Sequence, residues 1–304
     1  MANSADQPSD SARGWSLQEF RTLVAEELQA LGFSIERWHA DGLDYRDPHG
    51  QTGYLGLTNV LRRYFSVDQE LRLAILRDFL GHVLQSGAYR RESPERLSDF
   101  QFRILVRIGR PFSSLDAQPW NKPLPGTDLF FHLVIDHPGF MTYVTVEQML
   151  ESQQSSEEWL NQAMENLKDR TPVDWLERLH EPSGIQVGHL NDSYDASRAL
   201  ILTEIVDSPP AGWLVAIPSR DWLFCRPVTA DGLPHLYLLK VLAEKNYARE
   251  PYPISDEVYW IRGHRWQRFP MEIAGETIRM TPPHGFIEAI GGLHPMIDAV
   301  SDQG

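Results

Sequence analysis

Residues 191–225 read Asn191-Asp-Ser-Tyr-Asp195-Ala-Ser-Arg198-Ala-Leu-Ile-Leu-Thr-Glu-Ile-Val206-Asp-Ser-Pro-Pro-Ala-Gly-Trp213-Leu-Val-Ala-Ile-Pro-Ser219-Arg-Asp221-Trp-Leu-Phe-Cys225. Ala199, Leu200, Ile201, Leu202, Ile205 and Val206 leave almost no polar face, which predicts a helix over Ser193–Val206 buried on most sides. Asp192 stands at its expected N-cap and Asp195 in its first turn, where carboxylates complement free amides and the positive end of the dipole. Trp213–Ile217 and Trp222–Cys225 are nearly continuous apolar runs, the pattern of strands in the middle of a sheet. Few polar side chains interrupt so much core. Asp192, Tyr194, Asp195, Arg198, Ser219, Arg220 and Asp221 therefore form the candidate functional cluster.

The spacing of Asp195 and Arg198 lets them pair on a helix, and that of Tyr194 and Arg198 lets the guanidinium lie on the ring. Asp221, at the strand junction, is expected to approach the same helix and meet Arg198. Two readings follow. In one, Asp192, Asp195 and Asp221 bind a divalent metal and Arg198 or Arg220 grips an anionic substrate. In the other, the charges form a partly buried network that caps the helix and fixes the hairpin. Neither Ser193 nor Ser219 lies in a Gly-x-Ser-x-Gly elbow, so no serine nucleophile is indicated.

Outward from this stretch, the chain alternates short strands and helices. Leu17, Phe20, Val24, Leu28 and Leu31 recur at helical spacing after a capping box at Ser16–Glu19, and Gly32 ends that helix. Three strands (33–39, 43–47 and 53–57) lead to a helix from Thr58 and another from Ser66 to about Gln85. Residues 86–100 read as a loop or frayed helix, and Phe102–Ile108 as a strand. A hairpin follows at Leu129–Ile135 and Phe140–Val144, turned by Asp136-His137-Pro138-Gly139. Capping boxes at Thr145–Gln148 and Ser155–Glu158 open two helices, and Thr171-Pro172 opens another that ends near His180. Ile185–Leu190 reads as a strand. Beyond the central stretch come a helix over 234–247, a hairpin Val258–Arg262/Arg265–Phe269 turned at Gly263-His264, and a strand within 273–280.

These stations resemble a bacterial family, the domain-of-unknown-function family numbered 1444 (YtpQ-like proteins). Asn191–Arg198 looks like its Asn-Asp-Gly-Tyr-Asp-Ala-Ser-Arg segment, with Ser193 in place of the glycine. Ala216-Ile217-Pro218-Ser219-Arg220-Asp221 is similar to its Ala-Val-Pro segment ending in Asp. Glu165-Asn166-Leu167 with Thr171-Pro172, Tyr54-Leu55-Gly56-Leu57, and Pro253-Ile254-Ser255 with the hairpin through Phe269 resemble further segments. The likeness spans residues 16–280 and implies a cytosolic protein. It brings no reaction, cofactor or partner, and marks Asp195, Arg198 and Asp221 as signature positions only.

Composition bounds the rest. The 304 residues carry a net charge of −14, with 42 acids against 28 basic residues. Such a surface repels phosphate backbones and anionic lipid, so neither nucleic acid nor membrane is an expected partner. Arginine outnumbers lysine 24 to 4, which would suit carboxylate or phosphate recognition but is read first as a genome's codon bias. The single cysteine, Cys225, lies in an apolar run and reads as a small core residue. With no secretion signal and no run of about 18 apolar residues, a cytoplasmic location is expected.

His132, Asp136 and His137 are the nearest approach to metal ligands, but a strand and its turn need not bring them together. No phosphate loop is present, and no cofactor or metal is expected. Tyr252, Tyr259 and Trp260, with the chain to Trp266, form either an aromatic binding face or core.

The expected architecture is α+β, with mixed, mainly antiparallel sheets, packed helices and two lobes. Residues 1–15 form a disordered tail, 16–110 an N-terminal lobe, 111–126 a Pro-rich linker, 127–280 a C-terminal lobe and 281–304 a second tail. The function expected is a non-catalytic module binding a protein or peptide, and the alternative is a metal-dependent hydrolase using the Asp/Arg cluster. Oligomeric state is open, and a self-associating protein that uses the aromatic hairpin is a third reading.

Overall fold

The computed structural model describes residues 17–39, 42–50, 52–92, 96–111, 119–137, 140–180, 183–229, 235–275 and 277–291. The fold is α+β, and the chain divides into compact units at Gly87/Ala88. Ser16, the expected tail 1–15 and residues 292–304 lie outside the described residues, as do 112–118 of the expected linker.

In the first unit, α1 (Leu17–Ala30) buries Phe20, Val24 and Leu28, one residue per turn on one side. Gly32 follows in the left-handed conformation (φ 82°), which ends the helix and returns the chain. Strands β1 (Ser34–Trp38), β2 (Gly42–Arg46) and β3 (Thr52–Gly56) form an antiparallel meander. Helices α2 (Thr58–Ser66) and α3 (Gln69–Glu92) add Val60, Tyr64, Leu76 and Leu80 to the core of α1 and the sheet. The ring of Phe20 meets that of Tyr64 edge-on at 5.0 Å. α3 runs past Gln85, where a stop was expected, to Glu92.

The second unit opens with β4 (Ile104–Gly109), β5 (Asn121–Pro123), β6 (Phe130–His137) and β7 (Phe140–Tyr143). β6 pairs β4 on one edge and both β5 and β7 on the other, all antiparallel. The domain boundary expected at 111–126 is therefore misplaced. β4 belongs to the second unit because its whole length pairs with β6, and β5 makes part of the supposed linker a strand of the same sheet. Helices α4 (Val146–Glu151) and α5 (Ser156–Asp169) begin with the expected capping boxes. Thr145 Oγ1 accepts from the Gln148 amide at 3.1 Å while Gln148 Oε1 accepts from the Thr145 amide at 2.9 Å. Ser155 and Glu158 make the same exchange.

A helix expected from Thr171 is instead a strand, β8 (Leu176–His180), paired with β9 (Ile185–Gly188). The Ser193–Val206 helix is also corrected. The chain forms a 3₁₀ turn at Ala196–Leu200 and a single helical turn, α6 (Leu202–Ile205). Asn191 and Ser193 hold left-handed backbones (φ 59° and 75°), and the Ala196 amide bonds to Arg220 O across the fold. A continuous α-helix would have to give up both. β10 (Trp213–Ser219) and β11 (Trp222–Pro227) then occupy the middle of an antiparallel sheet, as expected.

After α7 (Tyr237–Arg249), β12 (Val258–Arg262) and β13 (Arg265–Phe269) form the hairpin turned at Gly263-His264. The expected strand in 273–280 is a second hairpin, β14 (Met271–Ala274) with β15 (Thr277–Met280). The segment expected to be a tail holds α8 (Phe286–Gly291), whose Phe286 ring packs on Trp260 and Phe269. The six-stranded sheet runs β13-β12-β10-β11-β9-β8. Its alternating residues split between two cores: Leu214, Ala216, Phe224 and Trp260 pack with α7 and α8 residues, while Val215, Ile217, Leu223 and Tyr259 pack with the four-stranded sheet and α5. No described helix is long and apolar enough to cross a membrane.

Candidate functional site

Arg198 is fully buried in the 3₁₀ turn, held between two carboxylates and the Thr171 hydroxyl. Its Nη1 and Nη2 donate to Asp192 Oδ1 and Oδ2 at 2.9 and 2.6 Å, a bidentate fork that matches the carboxylate plane. Nη1 also reaches Asp195 Oδ1 at 3.2 Å, and Nε reaches Thr171 Oγ1 at 3.2 Å. Asp195 turns its oxygens back along the chain, accepting from the Leu190 and Asn191 amides at 2.7 and 2.8 Å. Asp192 accepts from the Tyr194 amide at 3.0 Å. Neither aspartate side chain makes a helix-capping hydrogen bond, although Asp195 stands at the N-cap of the 3₁₀ turn. Each stitches the loop before the 3₁₀ turn, and the left-handed Asn191 and Ser193 carry the chain around them.

The two carboxylates are tuned oppositely. Burial pushes Asp192 up, but the hydrogen bonds and charge of Arg198, with the Tyr194 amide and Arg170, outweigh it and hold it below its ordinary value. For Asp195 burial wins over its amide bonds and Arg198, and the acid is raised. Tyr194 is raised by burial and by the charge of Asp136. Its hydroxyl donates to Asp136 Oδ1 at 3.2 Å, while Asp136 also pairs with Arg170. The cation over the Tyr194 ring is Arg170, 5.2 Å from its centroid, rather than the expected Arg198.

Asp221 does not meet Arg198. Arg220 Nε and Nη2 donate to Asp221 Oδ1 and Oδ2, each at 3.0 Å, and the Arg220 guanidinium lies 3.6 Å from the Tyr252 ring centroid. The expected cluster is thus two ion networks, joined by the bond from the Ala196 amide to Arg220 O. The strand junction turns Arg220 away because its amide bonds to Tyr252 O. Ser219 is wholly buried, its hydroxyl without a hydrogen-bond partner.

Two neighbouring residues show what the motif supports. Ser197 Oγ accepts from the Ile108 amide at 3.1 Å, and Asn166 Nδ2 donates to Ile104 O at 2.8 Å and Gln101 O at 2.7 Å. Both satisfy backbone groups on the outer edge of β4, which are costly to bury unpaired. Sequence reasoning missed Arg170, Asp136 and Thr171 in this network because no spacing ties residues so far apart.

Among the described residues, no three His, Cys, Asp or Glu side chains are placed to share a metal ion. His132 Nε2 bonds to Arg110 O, His137 Nε2 to Thr142 Oγ1, and Asp136 to Arg170. Both histidines and Asp136 lie within β6, which runs through the expected turn to His137. Burial pushes the Cys225 thiol up. Tyr259, Trp260 and Trp266 are buried, so the aromatic run is chiefly core.

One concave surface stands apart. A cleft of about 550 Å³ lies between the β12–β13 hairpin, the Leu124–Gly126 turn and the residues opening α8. Trp260, Gln267, Arg262 and Arg265 line it with His264, His284 and Glu288. Register sets Arg262 directly opposite Arg265, and Trp260 opposite Gln267, so all four project on one face. Arg262 Nε donates to Pro210 O at 3.1 Å. The chain matches no family model, no curated protein and no solved structure.

Proposed function

We propose that the chain is a non-catalytic cytosolic module that binds another protein or a peptide, and that the cleft beside β12–β13 receives it. The observation that carries this reading is the state of the charges. Asp192, Asp195 and Asp221 each spend their oxygens on a guanidinium or on backbone amides. Carboxylates so committed serve architecture. The cleft is different: its volume falls within the range of roughly 300–1,000 Å³ usual for ligand sites, and the polar groups of Arg262, Arg265 and Gln267 line it on one face.

Membership of the 1444 family is part of the same proposal. Ser193 supports it, since a left-handed backbone (φ 75°) favours glycine and the resembled segment carries glycine there. A reducing, cytosolic setting is supported by a lone buried cysteine.

Thermal unfolding of the full chain tests the reading, with pooled random peptides in one series and Mg²⁺, Mn²⁺ or Zn²⁺ in another. A ligand at about one hundred times its Kd stabilises by about 2.7 kcal/mol. The expected result is a higher Tm with peptides, abolished by Gln267→Trp, which adds bulk to the cleft lining. A rise with a metal and none with peptides would favour the hydrolase.

A further inference from the structure

We infer that the β12–β13 cleft takes an acidic peptide segment, one of whose carboxylates bridges Arg262 and Arg265. This rests on the cleft being the binding surface. The turn Gly263-His264 leaves the two arginines directly opposite one another across the hairpin. Like charges so placed repel, and an anion between them reverses the sign of the interaction. Arg262 reaches only a neutral carbonyl, and Arg265 makes no hydrogen bond or ion pair among the described residues.

The other arginines divide: among the described residues Arg37, Arg249 and Arg279 also meet no carboxylate, but none of them stands opposite a second arginine across a hairpin. Arg46, Arg77, Arg198, Arg220 and Arg268 each meet a carboxylate. A chain with 42 acids and 28 basic residues has carboxylates to spare. Arg262 and Arg265 line the same cleft as the exposed Glu288, which pairs with neither, and an opposed pair of arginines leaves room between them for a carboxylate from outside.

The rest of the lining selects a peptide. The half-buried Gln267 amide, on the same face as the two arginines, offers both a donor and an acceptor to a peptide backbone. A polyanion would meet the chain's net charge of −14, whereas a short segment with one or two carboxylates meets the local arginines.

The test is a hexapeptide array probed with the full chain, each acid-bearing sequence beside a twin with Asn for Asp and Gln for Glu. Acidic members should bind roughly tenfold more tightly than their twins. The difference should shrink as salt rises from about 50 to about 500 mM. Arg265→Glu should erase it, and because Arg265 is exposed and unpaired this variant should keep the parent's circular dichroism. Twins that bind equally, with both lost in Gln267→Trp, would overturn the acidic preference and leave the cleft as the site. No binding in any pair, or binding that survives Gln267→Trp, would overturn the cleft itself. Stabilisation by inorganic phosphate without peptide binding would overturn the peptide and leave a free anion.

Discussion

Removing the Arg198 guanidinium would strand the fully buried Asp195 carboxylate and leave Asp192 only the more distant Arg170, 4.0 Å away. Arg198→Ala is expected to cost about 3–5 kcal/mol, the usual consequence of leaving a buried charge unpaired. Urea unfolding measures it, and a loss under about 1 kcal/mol would show that the network is not what holds this loop. His132 gives a second residue-scale prediction. Burial lowers its pKa to about 4, against the carbonyl of Arg110 that favours the charged form, with Arg107 adding to the lowering. Between pH of about 6.5 and about 4 the unfolded chain therefore binds a proton that the folded chain refuses. Stability should fall by about 3 kcal/mol across that window on acidification, and His132→Gln should remove much of the fall. Equal pH slopes for parent and variant would contradict it. The Asp195–Arg198 pair could be read from spacing alone. The bidentate partner Asp192 could not, because it depends on the left-handed turn at Ser193 rather than on helical periodicity.

At the scale of elements, the strands that read most clearly were those buried on both faces. β10 and β11 are nearly continuous apolar runs, and the two-residue turn at Gly263-His264 fixed the register of β12 with β13. Two elements misread for opposite reasons. Ala199–Leu202 satisfies a helix pattern, yet the Ala196 amide finds a better-placed partner in Arg220 O. Trp175, Leu176 and Leu179 also fit helical spacing after Thr171-Pro172, but Leu176 and Glu177 pair with Gly188 and Val187, and pairing with a strand further along the chain decided the matter. Close approach of elements adds a constraint that sequence hides. Gly212 has φ 80°, and an added methyl group would sit 2.2 Å from Ile261 O on β12. Gly212→Ala should therefore cost about 2 kcal/mol or more, by strain at the residue and by pushing β12 from β10. Gly275→Ala, also left-handed but in open space, should cost less. Calorimetry of the two variants checks this, and equal losses would show that the contact with Ile261 has no cost.

For the whole molecule, the division at Gly87/Ala88 gives each unit its own core. Trp38 belongs to the first unit, whereas Trp120, Trp159, Trp175, Trp213, Trp222, Trp260 and Trp266 belong to the second. Tryptophan fluorescence should thus report mainly the second unit, while far-ultraviolet dichroism reports both. The two urea curves are expected not to coincide, and coincident curves would mean the units unfold as one. The two-lobe pattern was legible because each half carries its own strands and helices. The boundary was not, since prolines mark turns within a sheet as readily as links between domains. Cys225 now takes on a further meaning. It is the chain's only thiol and lies wholly buried on β11, at the centre of the six-stranded sheet. A disulfide reagent such as Ellman's can reach it only when that sheet parts, so the yellow thiolate it releases becomes a stopwatch on the second unit, silent to every excursion of the first.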